Sequence, residues 1–452
     1  MRTRISHIWM TPGVVAGDKK IPFIQDAEIL IDGNRIVYAG KRDEAPAFEA
    51  EQVIDGKGAL AMPGLCNLHT HTPMTLFRSI GADLPLDRWL QEAIWPLEKF
   101  LTDDAVRAGT DLGTLEMLRY GTTSFNDMYF RMDRMAESVQ ESGMRAMLGH
   151  GVVDFDESCS DLLPGIAFAE KWNGAANDRI HVNLAPHSEG ATTRKVMERT
   201  VEEARRLNVA IHIHVSETKA DRDGSVQRRD KTPPQYLDEL GMLDGPLLAA
   251  HCVWMDDEDI RLFAEKGTYI VHNPISNLKL ASGVAPIAKM LAAGCKVALG
   301  TDGVASNNNL NLWEEIKLMP MLQKGTTLDP TVVSPAQVLA AATSTGAEAL
   351  GYYDLGLLKP GYLADIILVD TTGCNCCPWN DPESDLIYSI NGGDVTMTMV
   401  DGRVLYQEGR YFTLDPKAVM ECARKENELI FEKPERAQRH KRRNLQGRRV
   451  LS

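Results

Sequence analysis

The chain has 452 residues, 44% hydrophobic and 25% charged, enough to bury a large core and ordinary for a water-soluble enzyme. A formal net charge of -14 argues against a nucleic-acid partner, since phosphate binding needs a basic surface, and leaves a small neutral or cationic ligand. No stretch of about 18 apolar residues offers a membrane span, and eight thinly spread cysteines argue against a disulfide framework and for a reducing, cytoplasmic setting.

Residues 1–7 are followed by no long apolar stretch, so neither an export signal nor an anchor is expected. The opening sixty residues alternate short apolar runs with turn signals, and Asp32-Gly33-Asn34 reads as a hairpin turn. The same antiparallel texture returns at residues 364–370 and 395–405, again with an Asp-Gly turn at Asp401-Gly402. Both chain ends are therefore expected to pair in one small β-sandwich, residues 1–59 with residues 356–415. Between them, buried-type strands alternate with helical stretches at residues 60–71, 122–127, 145–150, 180–187, 209–216, 245–253, 268–274 and 296–303. Eight such units predict a (β/α)8 TIM-type barrel over residues 60–355, with its active site at the carboxyl ends of the strands. Residues 416–452 read as a C-terminal helix and a solvated basic tail. Cys374-Asn375-Cys376-Cys377 lacks a second ligand pair at short range for zinc, and reads as a loop with exposed or half-buried thiols.

The metal-type residues fall at the predicted strand ends. His69-Thr70-His71 places two imidazoles on one face of a strand terminus, which suits one divalent ion; a hydrogen-bonded histidine pair is the plainer alternative. In His212-Ile213-His214 the second histidine lies nearer the strand end and is taken as a ligand, while His212 is expected one layer lower with a structural role. Glu217 follows three residues later, where the turn could bring its carboxyl group to the substrate, or leave it in solvent. His251 closes an apolar run and could bind metal or hydrogen-bond the water. Asp302 sits between Gly300 and Gly303, whose small size lets the backbone turn close to the site. Jointly, three histidines and one aspartate make an open site for one divalent ion, zinc first, with iron or manganese accepted by the same donors. Such an ion would lower the pKa of its water toward about 7. Asp302 could then take the water proton and Glu217 could hand a proton to a ring nitrogen of the substrate.

Several ordered segments resemble the amidohydrolase superfamily, and within it the 5'-methylthioadenosine/S-adenosylhomocysteine deaminase group. They are Pro63-Gly64-Leu65 through Met74, residues 84–90, Trp95-Pro96-Leu97-Glu98, residues 214–218, His272-Asn273-Pro274-Ile275-Ser276-Asn277 and residues 300–308. The resemblance implies that His69, His71, His214 and Asp302 hold one zinc, that His251 stands beside the hydroxide and that Glu217 meets the purine. It further implies that Glu98 binds the ribose diol, with Trp89 offering an apolar face and His187 touching the ribose or the 5' group. The implied reaction is hydrolytic deamination of an adenine nucleoside at C6, in a homo-oligomer of two or four copies. Two departures bear on the 5' group. The chain continues after His187 as Ser188-Glu189-Gly190 where the group usually has Pro-Tyr, and residues 146–178 contain no arginine to hold an amino-acid carboxylate. That disfavours S-adenosylhomocysteine against methylthioadenosine, 5'-deoxyadenosine and adenosine. The alternatives are a related aminohydrolase or chlorohydrolase acting on a guanine, pterin or triazine ring, and a metal-binding barrel without catalysis. The cytidine-deaminase type of zinc site is disfavoured because its His-x-Glu and Pro-Cys-x-x-Cys pattern is missing.

Overall fold

The computed structural model describes residues 1–449, with side chains through residue 432. Eight parallel strands follow one another in chain order around a barrel: Leu65–Thr70, Thr122–Tyr129, Arg145–Val152, Ile180–Pro186, Ala210–Val215, Leu247–His251, Tyr269–His272 and Lys296–Leu299. Almost every residue in them is buried, as expected of parallel strands covered on both faces. The last strand closes on the first. The Asp302 N–H donates to the His69 carbonyl at 2.8 Å, while Thr301 exchanges two hydrogen bonds with the Asn67 side chain at 2.8 and 3.0 Å.

Both chain ends enter a second, nine-stranded mixed sheet. Its hairpins turn where the sequence predicts: Asp32 pairs with Arg35, and Val400 with Arg403. The sheet coils until the two hairpin tips meet, Asn34 Nδ2 donating to Asp401 Oδ1 at 3.0 Å. Ile5, Ile29, Ile31, Ile366, Met397 and Met399 fill the space it encloses. Arg145, at the start of the third barrel strand and only 2% exposed, ties the sheet to the barrel by donating to Asp365 and Asp401 at 3.1–3.2 Å. A buried guanidinium is tolerated because two carboxylates accept its hydrogen bonds and balance its charge.

One predicted element divides. Residues 60–71 form not one strand but two: Leu60–Pro63 pairs antiparallel with Ile366–Val369 in the mixed sheet, and Leu65–Thr70 enters the barrel. The change of sheet occurs at Gly64, where a Cβ would lie 2.2 Å from the Thr123 side chain of the next strand, so only glycine passes. The turn bearing Cys374, Cys376 and Cys377 leaves the first and last exposed and the middle one buried, and all eight cysteines are free. Among the described residues, no helix is long and apolar enough to cross a membrane. The described residues end in the helix Pro416–Arg449; the expectation for the basic residues 436–443 and 448–449 lies outside the described side chains.

Candidate metal centre and pocket

At the carboxyl end of the barrel the predicted residues converge. Ligand atoms of His69, His71 and His214 lie within 4.8 Å of one another, as do those of His69, His251 and Asp302. Local chemistry decides which ring nitrogen of each histidine faces the centre. His71 Nδ1 donates to the Met128 carbonyl and His214 Nδ1 to the His187 carbonyl, each at 2.6 Å. His69 Nδ1 donates to His212 Nε2 at 2.8 Å, because His212 commits its own Nδ1–H to the Leu248 carbonyl at 3.0 Å. All three rings are thereby held with an Nε2 lone pair toward the centre. His212, one layer down as expected, is thus the group that orients His69.

His251 is arranged in the opposite sense. Its Nδ1 faces the amide nitrogens of Asn277 at 2.9 Å and Asn273 at 3.4 Å, which leaves the proton on Nε2, 3.7 Å from Glu217. Its backbone is left-handed, with φ of 73°, as is that of Asp302, with φ of 63°. Such conformations cost about 1–3 kcal/mol each and mark strand ends that are forced to turn. Asp302 is anchored by Ser276 Oγ and the Gly303 N–H, both donating at 2.6 Å. The sequence expectation of glycine-aided turning is refined here: the left-handed residue is Asp302 itself. Gly300 is needed for room, since a Cβ there would come within 2.8 Å of the His69 backbone nitrogen.

The donor set fits a divalent ion. Nε2 of His69 is buried without a hydrogen-bond partner among the described residues. An ion bonded at about 2.1 Å to several donors spaces neighbouring ones by about 3.0–3.4 Å. Asp302 Oδ1 stands 3.5 Å from His69 Nε2 and 3.4 Å from His71 Nε2. Burial lowers the pKa of His69 and of His214, the latter far below the usual imidazole range, so their Nε2 atoms are unprotonated donors at neutral pH. The two carboxyl groups diverge. Burial opposes the charge of Asp302, but the surrounding histidines hold it well below the ordinary carboxylate range, whereas burial and the neighbouring Asp302 charge push Glu217 well above it.

Glu217 is placed by the turn that leaves the fifth strand. Ser216 turns left-handed, with φ of 48°, and Thr218 starts a helix in a capping box with Asp221, so Glu217 is pointed inward to accept from Ser282 Oγ at 3.3 Å. Above it lies a pocket also lined by Trp89, Glu98, Tyr129 and His187. Trp89 begins a π-helical turn, Trp89–Ile94, that is followed directly by Trp95–Glu98; the indole N–H donates to the Ile80 carbonyl at 3.2 Å. Burial raises the pKa of Glu98, and Tyr129 opposes this by donating to Oε1 at 2.7 Å. His187 packs its ring 4.5 Å from that of His214, and burial lowers its pKa to about 4. The changed sequence after it is explained locally: Glu189 is buried and paired with Arg228 and Arg229.

Thus every predicted site residue reaches this one pocket or its floor. Sequence reasoning assigned no role to Ser276, Asn277 and Asn273, although their segment was singled out, and missed Tyr129. The polar spacing after His272 was the available signal for the first three; Tyr129 ends a buried strand and gave none.

The model of the amidohydrolase family matches residues 60–405. A 5'-deoxyadenosine deaminase of Methanothermobacter thermautotrophicus is 45% identical over 88% of this chain and 94% of its own length. A 5-methylthioadenosine/S-adenosylhomocysteine deaminase of Dictyoglomus thermophilum is 44% identical over 90% of this chain and 98% of its own. The crystal structure of an adenosine deaminase from Xanthomonas campestris with bound zinc superposes with a TM-score of 0.90 at 32% identity, over 95% of this chain and 98% of that one.

Proposed function

Because this chain belongs to the amidohydrolase family, we propose that it hydrolytically deaminates adenine nucleosides at C6, giving the inosine analogue and ammonia. One observation carries the reading: a three-histidine, one-aspartate cluster shares a single pocket with Glu98, Trp89, His187 and Glu217, whose carboxyl is pushed above the ordinary range while that of Asp302 is held below it. His69, His71, His214 and Asp302 would hold one divalent ion, zinc, which suits imidazole and carboxylate together. Bound there, the ion acts as a Lewis acid and lowers the pKa of water toward about 7.

The side chains then divide the proton transfers. Glu217 donates its proton to N1 of the purine, drawing electrons from C6. Asp302 accepts a proton from the attacking water, and His251 Nε2–H directs the incoming oxygen. When C6 has become tetrahedral, Asp302 passes its proton to the amino nitrogen, which leaves as ammonia. The C6 hydroxyl proton returns to Glu217, the C6 oxygen becomes the product's carbonyl, and both carboxyl groups recover their starting states. Glu98 accepts from the ribose hydroxyls, Trp89 covers an apolar face of the substrate, and His187 touches the ribose or the 5' group.

The outer wall mixes Phe130, Val153 and Phe155 with Lys99, Arg131 and Arg228; the two arginines are paired with Asp103 and Glu189, and with the lack of arginine over residues 146–178 this favours methylthioadenosine, 5'-deoxyadenosine or adenosine over S-adenosylhomocysteine. This reading makes the protein a cytoplasmic purine-salvage enzyme and a dimer or tetramer, the latter measurable by light scattering. The deciding experiment is ammonia release by the zinc-loaded protein from those nucleosides, guanine, a pterin and a triazine. Turnover confined to the adenine nucleosides is expected; turnover of the bare rings alone would overturn the reading.

A further inference from the structure

We propose that Tyr129 is the positioning residue that makes the Glu98 carboxylate selective for a vicinal diol, an inference that rests on the reading of Glu98 as the ribose acceptor. The two residues come from elements of different stiffness. Tyr129 is the last residue of the second barrel strand, 2% exposed, with its ring wedged between Phe130 and His71 at centroid distances of 5.2 and 6.4 Å. Glu98 ends the four-residue turn Trp95–Glu98, directly after the π-helical turn. Among the described residues, the only hydrogen bond to the Glu98 carboxylate is the one from Tyr129, at 2.7 Å to Oε1. Among the described residues, the strand-borne phenol is therefore the group whose hydrogen bond orients this carboxylate.

Fixing one oxygen determines what the other can accept. A carboxylate oxygen has two lone pairs, so the second oxygen, held at one place in the pocket, can take a hydrogen bond from each of two adjacent hydroxyls. A substrate with a single hydroxyl leaves half of that capacity empty, which is how a polar pocket rejects an analogue lacking a group. Without the phenol the carboxylate can turn to meet one hydroxyl as well as two. The phenol also favours the charged carboxylate against the cost of burying it.

The test compares adenosine with 2'-deoxyadenosine on the zinc-loaded enzyme. Tyr129→Phe is expected to lower the kcat/KM preference for the ribonucleoside about tenfold, the value of one hydrogen bond to a charged group, through KM and with kcat changed less than about twofold. Glu98→Gln should erase the preference, and the double variant should lose nothing beyond Glu98→Gln, because Tyr129 acts through Glu98. Equal losses on both nucleosides in Tyr129→Phe would reduce the tyrosine to a packing role and overturn the proposal. If Glu98→Gln erased the preference and Tyr129→Phe kept it, the Tyr129 proposal alone would fall. If Glu98→Gln kept the preference, the diol reading of Glu98 would fall with it.

Discussion

At the inner end of the pocket, the metal-type side chains stand at or just beyond strand termini, and each is tied to a backbone group or another buried side chain: His71 to Met128, His214 to His187, His69 to His212, Asp302 to Ser276. At the outer end, Trp89, Trp95 and Glu98 ride on the connection after the first strand. That connection passes through left-handed residues Ser79, Gly81 and Asp83, and Glu98 has one polar tie, to Tyr129. Under the proposed function the contrast is a division of labour: barrel strands would hold the groups that must meet a reacting atom within fractions of an ångström, and the connection would hold groups that choose among substrates.

The largest expected effect lies at the inner end. Asp302→Asn keeps the shape but removes both an anionic donor and a proton carrier, and should cut ammonia release by about 10⁴ or more; a loss under tenfold would mean that Asp302 does neither. Glu217→Gln comes next, with a loss of about 10² or more at unchanged metal content, measured by turnover alongside elemental analysis. If metal content fell in parallel, Glu217 would belong to the ion rather than the purine. His212→Phe retains a buried ring but removes the acceptor for His69 Nδ1–H, and should weaken metal retention 10- to 100-fold, roughly, in a chelator competition. Unchanged retention would break the claim that tight anchoring separates the inner end from the outer. Trp89→Phe, at the outer end, should raise KM by about three- to tenfold with little change in kcat, since it trims apolar area without touching the reacting groups. A fall in kcat of similar size would blur the division.

Much of this architecture could be read from local pattern. Eight apolar runs and two Asp-Gly turns reflect periodicity and backbone preference, which neighbouring residues decide. The histidines at strand ends were legible for the same reason, since a polar group after a buried strand is visible along the chain. What escaped depends on residues distant in sequence. His69 meets His212 across 143 positions, and Glu98 meets Tyr129 from a short turn that follows a π-helical one, whose geometry has no simple period. The break at Gly64 escaped because an apolar run looks continuous whichever sheet its residues join, and the pressure comes from Thr123 on a neighbouring strand.

That break has a consequence for stability. Eight and nine residues before His69, Ala61 and Leu60 are held between Trp9-Met10 and Leu368-Val369, so the segment leading into the strand that delivers two of the metal-type histidines is clamped by one strand before the barrel and one after it. Occupancy of the centre and integrity of the coiled sheet are then one thermodynamic unit: an ion that binds only the folded barrel stabilises both by mass action. Withdrawing it should accelerate amide exchange in residues 60–63 and 366–369, far from the pocket mouth.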